Sequence, residues 1–128
     1  MELLAKNIRY LSFWKRSPES VEAIQRLTML RDGKNFQVQI TLGKDASRTL
    51  TQQEFQTLLD ALEKEYHITD TPEEYKAFKY EDDVENFNLK FFLEIQYQDF
   101  TYLAIKGLHP FKQPHYQDIM ALFQTYFF

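Results

Sequence analysis

The chain contains no cysteine, and this absence excludes both a disulfide framework and any site built on a thiolate. Glycine is nearly as scarce, and the three glycines stand singly, so the sequence has no glycine-rich phosphate-binding loop. No apolar run is long enough to cross a bilayer, and the first residues lack the apolar core and cleavage site of a secretory signal. These absences predict a soluble cytoplasmic protein without a membrane partner. The length of 128 residues predicts a single domain, 1–128.

Signatures of catalysis are also missing. No serine lies in a Gly-x-Ser-x-Gly turn, and no Ser or Asp arrangement of any specificity surrounds the three histidines. His115 and Asp118, with His109 nearby, are the best candidates for a metal site, but such a site needs three or four ligands and a second shell. The paired acids of segment 69–86 lack the spacing of an EF-hand loop. The sequence therefore predicts a protein that is not an enzyme and holds no metal or cofactor.

Aromatic residues are abundant, with twelve Phe and eight Tyr. They can fill a core, or some can lie exposed as contact anchors. Charge is also abundant but uneven, because residues 1–50 carry nine basic and five acidic side chains, whereas residues 60–85 carry ten acidic and three basic ones. A concentrated acidic surface can steer a basic partner, or it can serve only to keep a loop soluble.

Residues 87–107 predict a long β-hairpin around which the fold can be built. Alternate residues between positions 87 and 97 are apolar, with Phe92 the exception. Successive side chains of a strand point to opposite faces, so one face of this strand is buried and the other is wet. An odd loop centred on Gln98 pairs Leu93 with Leu103 and brings the apolar residues of both strands to one face.

A second hairpin is predicted earlier in the chain. Asp32-Gly33 is a turn signal, and pairing Arg31 with Phe36 sets Met29 opposite Val38 on one apolar face.

The N-terminal segment is ambiguous. Residues 1–16 follow both a helical and a strand spacing, and the β-favouring Ser12-Phe13-Trp14 favours a strand over residues 7–15. Ser17-Pro18-Glu19-Ser20 can begin a helix or join two strands, and the apolar pattern that follows favours strands.

Two helices are predicted. In residues 50–66, Thr51 is an N-cap with Glu54 closing a capping box, and Leu50 and Phe55 occupy staple positions ahead of an apolar stripe. Pro114 can begin the last helix, whose stripe contains Tyr116, Ile119, Met120, Phe123 and Phe127. Thr71-Pro72-Glu73-Glu74 is a further capping candidate, for a short helix that would hold Tyr75 and Phe78.

These elements predict an α+β fold. It is a two-layer sandwich with an antiparallel sheet of four to five strands, made of two hairpin-then-helix units and an N-terminal strand. The two main helices lie on one face, and the other face is wholly or partly open. The hairpin register places Phe92, Phe100 and Tyr102 on that second face.

The function expected first is a small protein-binding module, most concretely an inhibitor or immunity-type protein that engages a basic partner through an acidic surface. The predicted contact residues are Glu73, Glu74, Glu81, Asp82, Asp83, Glu85, Phe92, Phe100 and Tyr102. The alternative is a structural or assembly protein that forms a homodimer through its open sheet face or its Phe-rich C-terminus. Basic and aromatic residues interleave near the N-terminus, but nucleic acid is the less expected partner because the chain is acidic overall.

Overall fold

The structure is a computed structural model that describes residues 3–17, 20–42, 47–68, 76–77, 89–108 and 115–126. In chain order the elements are α1 (Leu3–Asn7), β1 (Ile8–Ser17), β2 (Ser20–Asp32), β3 (Asn35–Leu42), β4 (Ser47–Thr49), α2 (Gln52–Lys64), β5 (Lys76–Ala77), β6 (Leu89–Tyr97), β7 (Tyr102–Leu108) and α3 (Tyr116–Thr125).

The strands form one antiparallel sheet in the order β4-β3-β2-β1-β6-β7-β5. The α+β class and the antiparallel sheet are therefore confirmed, whereas the predicted count of four to five strands was too low for the seven strands that the described residues form. The five long strands are those that the sequence pattern indicated. The two edge strands, β4 and β5, have three and two residues, too few to leave an alternating pattern in the sequence.

The first hairpin, β2–β3, has the predicted register. Arg31 lies opposite Phe36 and Met29 lies opposite Val38. Gly33 in the turn has a φ of 63°, a backbone conformation that glycine adopts without steric cost. The Asp-Gly signal and the apolar alternation therefore predicted the same strand pairing, and the structure contains it.

The β6–β7 hairpin has the predicted face but not the predicted partners. Leu93 lies opposite Ile105 instead of Leu103, a slip of two residues that leaves every side chain on its expected side. The cause is a turn centred one residue further along the chain than expected. Asp99 accepts hydrogen bonds from the N–H of Thr101 at 3.0 Å and from its hydroxyl at 2.6 Å, and the Phe100 N–H donates to the carbonyl of Tyr97 at 3.0 Å.

Both interpretations of the N-terminal segment hold for part of it. Helix α1 ends at Asn7, and the strand begins at Ile8 and runs to Ser17, close to the predicted 7–15. Because β2 begins at Ser20, the segment around Pro18 joins two strands, as the apolar pattern favoured. Residues 18–19 lie outside the described part of the chain.

Helix α2 begins with the predicted capping box. The Thr51 hydroxyl oxygen accepts the N–H of Glu54 at 3.1 Å, and the Glu54 carboxylate accepts the N–H of Thr51 at 3.1 Å. The stripe that begins at Phe55 is buried. In contrast, the short helix suggested after Thr71 is not supported, because Lys76–Ala77 pairs with β7 as a strand. Tyr75 and Phe78 lie outside the described residues.

Helices α2 and α3 pack on the same face of the sheet and share one core. Phe123 of α3 stacks on Phe13 of β1, with ring centroids 3.8 Å apart. On β7, a Cβ atom at Gly107 would overlap the ring of Phe91, so only glycine lets that ring lie against the strand. Residues 114 and 127, the predicted start and last stripe position of the final helix, lie outside the described residues.

Candidate functional site

The face of the sheet that points away from α2 and α3 is called the outer face. By strand alternation it contains the following side chains: Tyr10, Ser12, Trp14, Arg26, Thr28, Leu30, Gln37, Gln39, Phe92, Glu94, Gln96, Tyr102, Ala104 and Lys106. It divides into a buried half and an exposed half, and the two differ in what they offer a partner.

The buried half is a small aromatic cluster. Trp14 and Phe92 are each 1% exposed and lie nearly parallel, with ring centroids 6.5 Å apart. Ala104 completes the cluster. Phe92 therefore lies on the face where the sequence placed it, but it offers no exposed surface. Its expected role as an exposed contact is corrected, because its ring is buried and stacks on Trp14.

The exposed half lies at the end of the sheet nearest the β6–β7 turn. Phe100 is 79% exposed, Leu30 53% and Tyr102 47%. Leu30 lies opposite Tyr10, which lies opposite Gln96, which in turn lies opposite Tyr102, so one row crosses four strands. The structure thus brings together two predicted contact residues, Phe100 and Tyr102. Leu30 was missed, although its position out of phase with the buried Leu27 and Met29 would have indicated it.

An arginine joins this exposed row through a break in strand regularity. The pairing of β1 with β6 shifts between Ile8 and Tyr10, and Arg9 is the extra residue at that β-bulge. Its guanidinium lies 5.3 Å from the centre of the Phe100 ring and donates a hydrogen bond from Nη2 to Gln96. Gln96 in turn donates to Glu94 at 2.5 Å. We call Arg9, Tyr10, Leu30, Phe100 and Tyr102 the tip patch.

On the other side of the same turn lies an open cleft of about 660 Å³, called the tip cleft. It is lined by Leu4, Asn7, Glu63, Tyr97, Gln98, Asp99 and Thr101. The Glu63 carboxylate accepts the N–H of Leu4 at 2.9 Å, which ties α2 to α1. Gln98 is fixed by its N–H to the carbonyl of Asn7 at 2.7 Å. The walls of the cleft therefore come from two helices and the hairpin turn.

The tip cleft is acidic. Burial raises the pKa of Tyr97, and the negative charges of Asp99 and Glu63 raise it further. The pKa of Asp99 is lowered, chiefly by the hydrogen bond from the Thr101 side chain and also by that from its N–H. Asp99 is therefore ionised at neutral pH, and a cationic group in this cleft would meet negative charge.

The other predicted contact residues are six acidic side chains of segment 73–85. Glu73, Glu74, Glu81, Asp82, Asp83 and Glu85 all lie outside the described residues, and their role stays a prediction. Among the described residues that precede this segment, the nearest acidic side chains are Asp60, Glu63 and Glu65, on or directly after α2.

A second open groove, of about 790 Å³, runs along the outer face over β1 to β4. Tyr10 and Leu30 line both this groove and the tip patch, so the two surfaces are continuous. Among the described residues, the other ones that line this groove carry no charge: they are Thr28, Met29, Phe36, Gln37, Val38, Gln39, Thr49, Leu50 and Gln52. This groove therefore extends the exposed surface with neutral polar and apolar groups.

One buried basic side chain was not expected. Lys15 lies on the helix-covered side of β1, in phase with Leu11 and Phe13, and is only 2% exposed. Its ammonium group donates to the side-chain oxygen of Gln25 at 3.1 Å, and no carboxylate of the described residues pairs with it. Burial lowers its pKa. Lys15 follows Leu11 and Phe13 at the same two-residue spacing. This spacing was the sequence signal that indicated a buried position.

Within the described residues, no group of three His, Asp or Glu side chains is placed to hold a metal ion. His115 lies at the start of α3, with its ring 5.9 Å from that of Tyr66, and His109 is outside the described chain. None of the described helices combines the length and the apolar character needed to cross a membrane. Comparison with known proteins found no matching family model, no matching curated protein and no matching solved structure.

Proposed function

We propose that this protein is a small protein-binding module whose partner docks on the β6–β7 turn, over the tip patch and into the tip cleft. The observation that carries the proposal is the state of Phe100. It is the most exposed large apolar side chain of the described residues, and its backbone φ is 70°.

Both properties work against folding. A left-handed backbone costs a residue other than glycine roughly 1–2 kcal/mol. An exposed Phe side chain forgoes about 1.5–3 kcal/mol that its burial would contribute. Three-residue hairpin loops favour glycine at the left-handed position, where neither cost arises. Phe100 thus lowers the stability of the fold in two ways. We attribute its presence to a contact with a binding partner.

The neighbours of Phe100 fit this explanation. Aromatic residues and arginine are enriched where protein interfaces contribute most to affinity. The tip patch supplies both, and Arg9 is held over Phe100 by its hydrogen bond to Gln96. A side chain held before binding loses less conformational entropy when the partner arrives.

The inhibitor or immunity-type role is the more specific part of the proposal. Its support is charge: the chain carries a net charge of −4, and the tip cleft adds Glu63 and Asp99 beside the aromatic anchors. A basic partner would be steered to such a surface and bound more slowly at high salt. A cysteine-free chain suits the reducing cytoplasm, which is the location that we propose for it.

The test is capture of a partner from the native host with the full chain as bait, quantified by mass spectrometry. Wild-type protein is compared with Phe100→Asn, which removes the ring and suits the left-handed backbone. Gln53→Ala, an exposed change on α2, is the control. We expect one protein to be retained by wild type and by the control and lost with Phe100→Asn. Equal retention by all three baits would refute the tip patch as the binding surface.

The second candidate is a homodimer through the outer face. Its specific support is that the exposed apolar side chains of the tip patch lie on one continuous surface with the uncharged groove. Light scattering separates the two proposals, because a homodimer through this patch would lose half its mass on Phe100→Asn. A monomeric mass that does not depend on concentration would reject the homodimer.

A further inference from the structure

The N-terminal half of β3 lies at an edge of the sheet. Strand β4 pairs with β3 only at Gln39, Ile40 and Thr41. Residues 35–38 of β3 therefore have no strand beside them on that side among the described residues. An exposed strand edge presents main-chain N–H and C=O groups to any other extended chain.

The sequence of β3 favours pairing of this edge with another strand. Asn35–Leu42 reads Asn-Phe-Gln-Val-Gln-Ile-Thr-Leu and contains no charged residue, no proline and no glycine. Short uncharged segments of high β propensity are those that pair with copies of themselves. Natural edge strands usually carry a lysine, a proline or a bulge that blocks such pairing. Strand β3 has no lysine and no proline, so its protection must come from elsewhere in the chain.

The side chain of Gln52 supplies that protection. Its Oε1 accepts the main-chain N–H of Phe36 at 2.6 Å, and its Nε2 donates to the main-chain carbonyl of Phe36 at 2.5 Å. A primary amide carries the same donor and acceptor as a peptide group, so Gln52 pairs with Phe36 as a residue of a neighbouring strand would. Two residues further along β3, the N–H of Leu50 donates to the carbonyl of Val38 at 3.3 Å and so occupies a second main-chain group of this edge.

We infer that the β3 edge is a self-association surface that the Gln52 amide holds closed. The occupant that fits it when the amide is removed is β3 of a second copy of this chain. Antiparallel pairing of the two edges satisfies the Phe36 groups of both copies and brings no charge into the contact. This inference does not depend on the proposed function, because neither Phe36 nor Gln52 belongs to the tip patch or lines the tip cleft.

Three variants separate this role from a general effect on α2. Gln52→Ala removes the donor and the acceptor together. Gln52→Glu keeps an acceptor for the Phe36 N–H but sets an anion against the Phe36 carbonyl, so the edge is half open and charged. Gln53→Ala is the matched control, since it makes the same change at the next position of the same helix, where the side chain is exposed.

The experiment measures mass by light scattering from micromolar to millimolar protein, together with hydrogen exchange at the Phe36 amide. We expect the mass of Gln52→Ala to double with concentration while Gln53→Ala stays with wild type. We also expect the Phe36 amide of Gln52→Ala to exchange more slowly as the protein is concentrated, because the second strand then holds it. Gln52→Glu is expected to associate less than Gln52→Ala, because two carboxylates would face each other.

The inference is overturned if Gln52→Ala and Gln53→Ala have the same mass at every concentration, whatever that mass is. It is also overturned if the mass doubles while exchange at Phe36 stays independent of concentration, since association would then use another surface. If Gln52→Ala fails to fold, Gln52→Met takes its place, because methionine also removes the donor and the acceptor and adds no charge, and the same two outcomes apply to it.

Discussion

At the scale of single residues, the molecule keeps side chains that weaken its own fold. Phe100 is exposed on a left-handed backbone, and Lys15 is buried with one neutral hydrogen-bond acceptor. Neither property follows from residue type alone. The first depends on where the turn is centred, and the second depends on which side of β1 packs against the helices. Each can be tested by a substitution. Its expected effect on the free energy of unfolding has the opposite sign to the effect of replacing an ordinary core or surface residue.

Phe100→Asn is expected to leave the free energy of unfolding unchanged or to raise it by up to about 1 kcal/mol. Relief of the left-handed backbone, roughly 1–2 kcal/mol, exceeds the lost stacking with Arg9, about 0.5–1 kcal/mol at an exposed site. Urea unfolding measures the difference. Tyr102→Asn is the control, because it removes an exposed aromatic from a strand and is expected to lower the free energy. A similar loss for both variants would mean that the Phe100 ring supports the fold.

Lys15→Met is expected to raise the free energy of unfolding at neutral pH by on the order of 1 kcal/mol, because it removes a buried, poorly paired polar group. Burial lowers the pKa of Lys15 in the folded state below its ordinary value of 10.5. Between that lowered pKa and 10.5 the unfolded chain binds the extra proton, so wild-type stability rises with pH there.

The measurement is a series of urea unfolding curves between pH 7 and pH 10. Tyr97, with a raised pKa, costs stability only above its ordinary value of 10.0, so it does not contribute to that interval. The rise should disappear in Lys15→Met and persist in Lys34→Met, a change at an exposed lysine in the β2–β3 turn. A rise of equal size in all three proteins would show that Lys15 is not its source.

At the scale of elements, local signals decided most of the fold. The Asp-Gly turn predicted one hairpin register, and the Thr51–Glu54 pattern predicted one helix start. The structure contains both. The β6–β7 turn had no glycine to mark its left-handed residue, so the sequence pattern identified the face but missed the register by two residues. Strand β5 lies in a segment whose Thr-Pro-Glu-Glu pattern favours a helix, and pairing with β7 overrides that preference.

Thr51→Ala is expected to lower the free energy of unfolding by about 1 kcal/mol, because it removes the oxygen that caps the Glu54 N–H. Thr57→Ala is the control on the same helix. Thr57 is exposed and its hydroxyl donates only to the carbonyl of Gln53, so alanine there is expected to be neutral or stabilising. Thermal unfolding compares the two, and an equal loss in both would remove the capping box as the origin of α2 stability.

At the scale of the whole molecule, the sheet separates two kinds of surface. One face is covered by helices that share a core, and the other contains the buried Trp14 and Phe92 in its middle and the exposed tip patch at one end. The sequence predicted the two faces and two of the tip-patch residues. It could not predict the patch as a unit, because Arg9 joins it through a bulge and Leu30 joins it through a strand that lies two places away from β6.

We propose that Phe100 is retained for binding although it lowers the stability of the fold. The measurement that tests this most directly is the dissociation constant of the captured partner for wild type and for Phe100→Asn, determined side by side on folded protein. For Phe100→Asn we expect a dissociation constant at least about tenfold higher than for wild type, because Phe100 would be a central aromatic anchor. An unchanged dissociation constant in a variant of equal or greater stability would contradict it.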